Sequence, residues 1–296
     1  MVSIDGDYSD SAAVGHLFGV RTLKSTPSGT KSGRISQHYR RAIDNIMNNE
    51  FKGLKFSCKI PNIFKINFSD AQFLIIIEDD LTISPDFFLY FDWSLELFEL
   101  DNSLYCISAW NDHGMNHAVG NETMFSRVEG MPGLGWAISR PIIDEILPKW
   151  LPKERMTDWD VWMRKPSIRK GMKLSSWLQF KIVLARDCLI PDISRSYHFG
   201  ENGMNVNEAI QQAYFRHHAV NKKSELTLFP PIQNYQKMQY DQELLMIIKE
   251  AEVLKSNPCD ETRKKPASNF GPPPNSNQTF VLYYQQVNQN ILNDSK

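Results

Sequence analysis

FLIIIEDDLTISPDFFLYF, residues 73–91, is the stretch on which the fold turns. An unbroken apolar run from Phe73 to Ile77 drives into Glu78, Asp79 and Asp80, and an aromatic run follows after a few polar residues. The apolar run is short, β-branched and without alternation, the pattern of a strand covered on both faces of its sheet. Adjacent carboxylates repel, and burying one costs free energy unless a positive group offsets it. Two readings follow. The strand ends at the surface, where acids are solvated, or it ends at a site for a divalent cation. Mg²⁺ and Mn²⁺ take hard oxygen ligands, often one or two carboxylates plus substrate phosphates. An acidic strand end supplies few ligands and leaves positions open for a diphosphate.

Working outward, SPDFFLYFDWSLELFELD predicts a helix with Ser84 as N-cap and Pro85 at its first position. Upstream, VSID and HLFGVRTLKST predict a strand, a connection and a second short strand. SGRISQHYRRAIDNIMNNEF predicts a helix whose Ile35, Tyr39, Ile43 and Ile46 keep three-to-four spacing, with Ser32 placed to cap it. Downstream, SLYCISAW predicts a strand, PIIDEILPKW and DWDVWMRKPSIRKG predict helices, and CLIPDISRSYHFG is strand-like before a Gly/Asn-rich loop. Alternating strands and helices predict an α/β domain with a largely parallel sheet. Ligands in such sheets bind beyond the carboxyl ends of the strands, which is where Glu78, Asp79 and Asp80 lie. A domain over 1–256 is expected. From 257 to 296 the composition turns to a Pro/Asn/Ser-rich tail with a short strand-like TFVLYYQQV near its end.

The chain has 296 residues and a net charge of −1, which gives no electrostatic case for nucleic acid or a membrane surface. Its four cysteines, Cys58, Cys106, Cys188 and Cys259, are too widely spaced for a zinc knuckle and leave any pairing open. Asn67, Asn121, Asn277 and Asn293 each begin a glycosylation acceptor triplet, a common pattern that leans toward the secretory pathway.

Two further stretches carry candidate chemistry. In MPGLGWAIS, Gly133 and Gly135 flank Leu134 ahead of Trp136. Glycine lets backbone approach a ligand closely, although the same pattern serves a tight turn onto a core tryptophan. In DWDVWMR, Asp158 and Asp160 neighbour Trp159 and Trp162. Partial desolvation by such aromatics raises a carboxylate toward the range of a general base. Acids at a helix N-terminus are also favoured by the macrodipole alone.

Taken in order, IIIEDDLTISPDFFLYF, SLYCISAWND, MPGLGW, DWDVWMR and PDISRSYHFG resemble the successive motifs of glycosyltransferase family 13. The resemblance covers most of the chain from about Val2 to Val253. It implies a GT-A type, Rossmann-like nucleotide-sugar transferase fold, with a mixed, mostly parallel sheet flanked by helices. It also implies Mn²⁺-dependent, inverting transfer of N-acetylglucosamine from UDP-GlcNAc to the 2-hydroxyl of mannose on a glycoprotein. Within the family, SRSYHFG, AYF, EAEVL and NPC are more similar to the branch acting on O-linked mannose than to the branch acting on N-glycan cores.

Carried over residue by residue, the resemblance makes Asp80 the metal ligand and has Glu78 and Asp79 contact the sugar nucleotide. Asp5 and His38 would meet the nucleotide, and Leu134 and Trp159 would line the donor-sugar pocket. Asp160 would be the catalytic base, and Asn205 would sit on a loop closing over the donor. Cys106 and Cys188 match a pair that forms a disulfide. The implied setting is the Golgi membrane, facing the lumen, with the anchor, stem and first strand of the family pattern expected ahead of Met1, so the domain reads as N-terminally truncated. Two stretches, near 51–68 and 173–186, are longer than the family pattern. A non-catalytic glycan-binding fragment is the opposed functional class. The intact acidic triplet and Asp160 speak against it.

Overall fold

The computed structural model describes residues 1–29, 32–49, 71–150, 152, 186–201, 203, 206–223, 228–253 and 280–281. The chain divides into two compact units, Met1–Gln236 and Lys237–Lys296, a division ahead of the expected 256/257 boundary. In the second unit, helix α7 (Lys237–Glu250) carries a Lys237–Asp241 ion pair at 3.0 Å across one turn. Strands β10 (Glu252–Val253) and β11 (Phe280–Val281) pair in parallel in that unit.

The first unit is built on a mixed sheet in the order β3, β7, β5, β8, β6. Its strands are β3 (Phe73–Ile76), β7 (Trp136–Ser139), β5 (Leu104–Ser108), β8 (Asp187–Pro191) and β6 (Phe125–Val128). The α/β architecture is as expected, but this sheet has more antiparallel pairing than strand–helix alternation implies. Only β5 and β8 run parallel within it; β3–β7, β5–β7 and β6–β8 are antiparallel. The alternation fails between β5 and β7, where β6 and loops stand in place of a crossover helix. A parallel return needs such a crossover. A separate parallel pair, β1 (Val2–Asp5) and β2 (Thr22–Ser25), aligns Asp5 with Ser25.

Both faces of the sheet are covered, as the unalternating apolar run at Phe73 implies. On one face, Ile43 and Met47, together with Ile35, Tyr39 and Ile46, pack with Ile142, Ile143 and Ile146 against Trp136, Ile138 and Cys106. These residues belong to α2 (Ser32–Asp44), to the π-helical turn Asn45–Asn49 that extends it, and to α5 (Arg140–Ile146). On the other face, α3 (Phe87–Ser94) and α4 (Leu97–Leu100) contribute Phe87, Tyr90, Phe91 and Leu97 against Leu104, Ile107 and Ala137. Successive residues of β7 alternate between the two cores.

Several local expectations change. The helix after the acidic triplet starts at Phe87 with Asp86 at its cap position, not Ser84. Ser84 is instead buried and donates to the Asp86 carboxylate at 2.7 Å, whose other oxygen receives Arg195 Nε at 3.1 Å. With the Ser84 hydroxyl and Arg195 both bound to the Asp86 carboxylate, neither the Ser84 nor the Asp86 side chain caps the helix. A short strand β4 (Leu81–Ile83) precedes the helix and pairs antiparallel with β9 (Ser196–His198), placing Leu81 opposite His198. Helix α1 (Ser9–Leu17) fills the connection read only as a link between β1 and β2. The helix predicted over DWDVWMRKPSIRKG, the stretches 51–68 and 173–185, and the side chain of Ser32 lie outside the described residues.

Candidate functional site

The carboxyl end of β3 opens on a cavity of about 1590 Å³. Asp5, Arg34 and His38 line one part of it, the Gly133–Trp136 turn another, and His198 with Gly200 a third. Glu78, Asp79 and Asp80 all border it. Each acid has its own surroundings, which is how adjacent like charges coexist. Glu78 accepts a hydrogen bond from the Tyr39 hydroxyl. Asp79 is exposed in the turn after β3. Asp80 Oδ2 stands 3.0 Å from His198 Nε2.

The β4–β9 ladder makes that last pair, because Asp80 and His198 sit at its end. The Asp80 carboxylate is held below its usual range by the His198 hydrogen bond, against the opposing effect of burial. For His198, burial disfavours the imidazolium, but the hydrogen bond and charge of Asp80, with Gln211 and Glu78 behind them, outweigh it and raise the pKa. His198 is further fixed by Gln211, whose Nε2 donates to the His198 carbonyl at 2.9 Å. Gln211 lies on α6 (Glu208–Ala213), a helix capped by Asn207.

Gly200 runs so close over Asp80 that a Cβ there would fall 2.9 Å from Oδ2. A bare backbone beside a carboxylate that remains 40% exposed forms a cradle open toward the cavity. Among the described residues no group of three or more His, Cys, Asp or Glu could enclose a metal. A hard-oxygen site of this kind fits Mn²⁺ or Mg²⁺ shared with the oxygens of a phosphate ligand, not a closed all-protein cage.

At the end of β1, Asp5 is the hub of a second cluster. Arg34 Nε donates to Asp5 Oδ2 at 2.6 Å and its Nη2 to the Asp5 carbonyl at 2.9 Å. Ser25 Oγ lies 3.3 Å from both Asp5 Oδ1 and His38 Nδ1. Burial lowers the His38 pKa, with the Asp5 charge only partly opposing it. His38 is therefore part of a built cluster. Arg34 is the sole Lys or Arg among the described residues lining the cavity.

Leu134 adopts φ +54° between Gly133 at +76° and Gly135 at +86°. Three successive left-handed residues reverse the chain into β7. Ser108 Oγ donates to the Gly133 carbonyl at 2.8 Å, and Ser196 Oγ to the Leu134 carbonyl at 2.5 Å. A leucine in this region of φ costs free energy that glycine would not, so the position is held by its surroundings. Trp136 is 1% exposed and belongs to the core, although it borders the cavity.

The expected bridge is present. Cys106 and Cys188, opposite one another on β5 and β8, form a disulfide with an S–S distance of 1.99 Å. The structure thus gathers Asp5, His38, Glu78, Asp79, Asp80 and Leu134 around one cavity. Trp159, Asp160 and Asn205 lie outside the described residues. Sequence reasoning passed over Arg34, Tyr39 and His198. From the sequence, Tyr39 reads only as a core position and His198 only as part of a motif.

The GNT-I family profile matches residues 25–270. The chain belongs to the GNT-I family. The matched range contains the acidic triplet, Leu134 and His198; Asp5 lies ahead of it. The alpha-1,3-mannosyl-glycoprotein 2-beta-N-acetylglucosaminyltransferase of Arabidopsis thaliana is 32% identical over 179 residues. That alignment covers 60% of this chain and 32% of the relative, so the chain spans about a third of that protein's length.

Proposed function

We propose that this chain is the catalytic core of a Mn²⁺-dependent N-acetylglucosaminyltransferase of GT-A type. It would transfer the sugar from UDP-GlcNAc to the 2-hydroxyl of a mannose on a glycoprotein, with inversion. The observation that carries this reading is the GNT-I family match over a range whose acidic strand end opens on a large cavity. The Golgi lumen is the proposed setting, and the Cys106–Cys188 disulfide suits an oxidising compartment. Among the described residues no helix is long and apolar enough to cross a membrane.

In this reading Asp5, Arg34 and His38 hold the nucleotide, Glu78 and Asp79 meet the sugar nucleotide, and Leu134 and Trp159 line the sugar pocket. Asp80 would hold Mn²⁺, and the ion when bound would supply Lewis-acid neutralisation of the departing diphosphate. Asp160 takes the proton from the mannose 2-hydroxyl as that oxygen attacks the anomeric carbon. UDP leaves from the opposite face, so an α-linked donor gives a β-linked product. General-base catalysis of this kind is worth about 10²–10⁴-fold. The loop bearing Asn205 closes over the donor and keeps water out.

The motif similarities favour O-linked mannose as acceptor; the name of the Arabidopsis relative favours the mannose of an N-glycan. Sugar transfer from UDP-GlcNAc, with and without Mn²⁺, to a mannosyl-threonine peptide and separately to a mannose-terminated N-glycan decides between them. Mn²⁺-dependent transfer to the peptide, lost in Asp160→Asn, is the expected result. Transfer to the N-glycan alone assigns the second acceptor. A folded chain that binds glycan but transfers nothing to either acceptor would overturn the enzymatic reading.

A further inference from the structure

Glu78 is a flexible side chain at the rim of the cavity, yet its carboxylate is tethered. The Tyr39 hydroxyl donates to it. The two groups come from different elements: Tyr39 from α2 and Glu78 from just beyond β3. The core that holds the Tyr39 ring is rigid. Trp136 is buried in the core, its backbone is paired opposite Ile76, and the left-handed Gly133–Gly135 turn leads directly into it. The Tyr39 ring packs against the same core.

Tyr39 also follows His38 in sequence. Successive residues of an α-helix point about 100° apart. One turn of α2 therefore addresses two groups at once: the Asp5–Ser25 cluster through His38, and the acidic triplet through Tyr39. A carboxylate fixed before a ligand arrives loses less freedom on binding, which strengthens the complex without any new contact.

We infer that Tyr39 is a positioning residue: its hydroxyl sets the Glu78 carboxylate for the sugar of the donor and so governs the preference for sugar nucleotide over free nucleotide. The inference rests on the proposed role of Glu78 as a sugar-contacting group. Tyr39 is assigned its effect through Glu78 alone.

The test is calorimetric titration of the full chain with UDP-GlcNAc and with UDP, both with Mn²⁺, for wild type, Tyr39→Phe, Glu78→Gln and the double variant. Tyr39→Phe keeps the packed ring and removes only the hydroxyl. Losing one hydrogen bond to a charged group predicts a roughly tenfold weaker Kd for UDP-GlcNAc, with UDP within about twofold of wild type. Adding Tyr39→Phe to Glu78→Gln should change little more, because both act through one carboxylate. Equal losses for both nucleotides, additive losses in the double variant, or no loss at all would overturn the inference. Glu78→Asp withdraws the carboxylate from the phenol by one methylene and carries the same expectation, should Tyr39→Phe unfold. Failure of the wild type to bind either nucleotide would bring down the functional reading and this inference with it. Normal wild-type binding with unchanged selectivity in Tyr39→Phe removes this inference alone.

Discussion

Replacing Cys106 and Cys188 by alanine tests the physics that holds the central sheet together. The disulfide joins two parallel strands at directly opposed positions, with both side chains buried, and closes a loop with a sequence separation of 82. In the chain-entropy account, cross-linking a loop of that length removes denatured-state freedom worth about 4.5 kcal/mol at 25 °C. For a unit of this size, each kcal/mol moves the midpoint of thermal unfolding by about 2–4 °C, which gives a drop of roughly 9–18 °C. The assay is thermal unfolding followed by tryptophan fluorescence for wild type, Cys106→Ala and the double variant. Losing either cysteine breaks the link, so the single and double variants should fall together. Below their midpoints both should keep the fold, since the β5–β8 ladder does not depend on the sulfurs. A double variant within about 1 kcal/mol of wild type would refute the reasoning, because strand pairing alone would then set the geometry. A double variant far weaker than the single one would show that packing of the sulfurs, not the cross-link, is what matters.

Gly200→Ala places a methyl group 2.9 Å from Asp80 Oδ2, so the carboxylate must move. The Mn²⁺ concentration needed for half-maximal transfer should rise about tenfold or more, the scale of lost orientation around a metal ligand, and an unchanged requirement sinks the cradle. For Leu134→Gly, relief of about 1 kcal/mol of left-handed strain is offset by about 0.5–1 kcal/mol of glycine entropy. The midpoint should therefore shift by only a few degrees while KM for UDP-GlcNAc rises; a large fall in stability would make Leu134 a core residue instead. Because the His38 pKa is lowered in the fold, the unfolded state binds more protons just below the usual imidazole value of about 6.5. Stability should thus fall as pH drops through that window and recover above it. Urea midpoints measured across pH 5–7 should show a shallower slope for His38→Asn, and an identical slope in both would show that His38 contributes nothing.

Much of the fold was written locally. The unalternating run at Phe73 meant a strand covered on both faces, and the two cores cover it. The spacing of Ile35, Tyr39, Ile43 and Ile46 marked one face of a helix, and all four pack against a single core. Helix α1 escaped notice because its apolar residues form no stripe: Val14 and Leu17 remain exposed. β6 escaped because FSRV is a short run between turns. Ser84 looked like a cap because Ser-Pro usually opens a helix. Arg195, separated from Asp86 by 109 positions, captured that carboxylate and changed the local hydrogen bonding.

The sequence alone determined which groups are available: an acidic strand end, a glycine-flanked turn, a histidine beside a tyrosine, and a pair of cysteines with a family precedent. Periodicity and capping are short-range effects, so these elements and their chemistry could be read without any knowledge of packing. The tertiary structure alone decided who answers whom. Tyr39 reaches Glu78 across 39 positions, and His198 meets Asp80 because β4 and β9 happen to pair. Arg34 closes on Asp5 only after β1, β2 and α2 come together. Such contacts depend on strand order and register, which follow from the burial of the whole core and leave no periodic trace in the segments that make them.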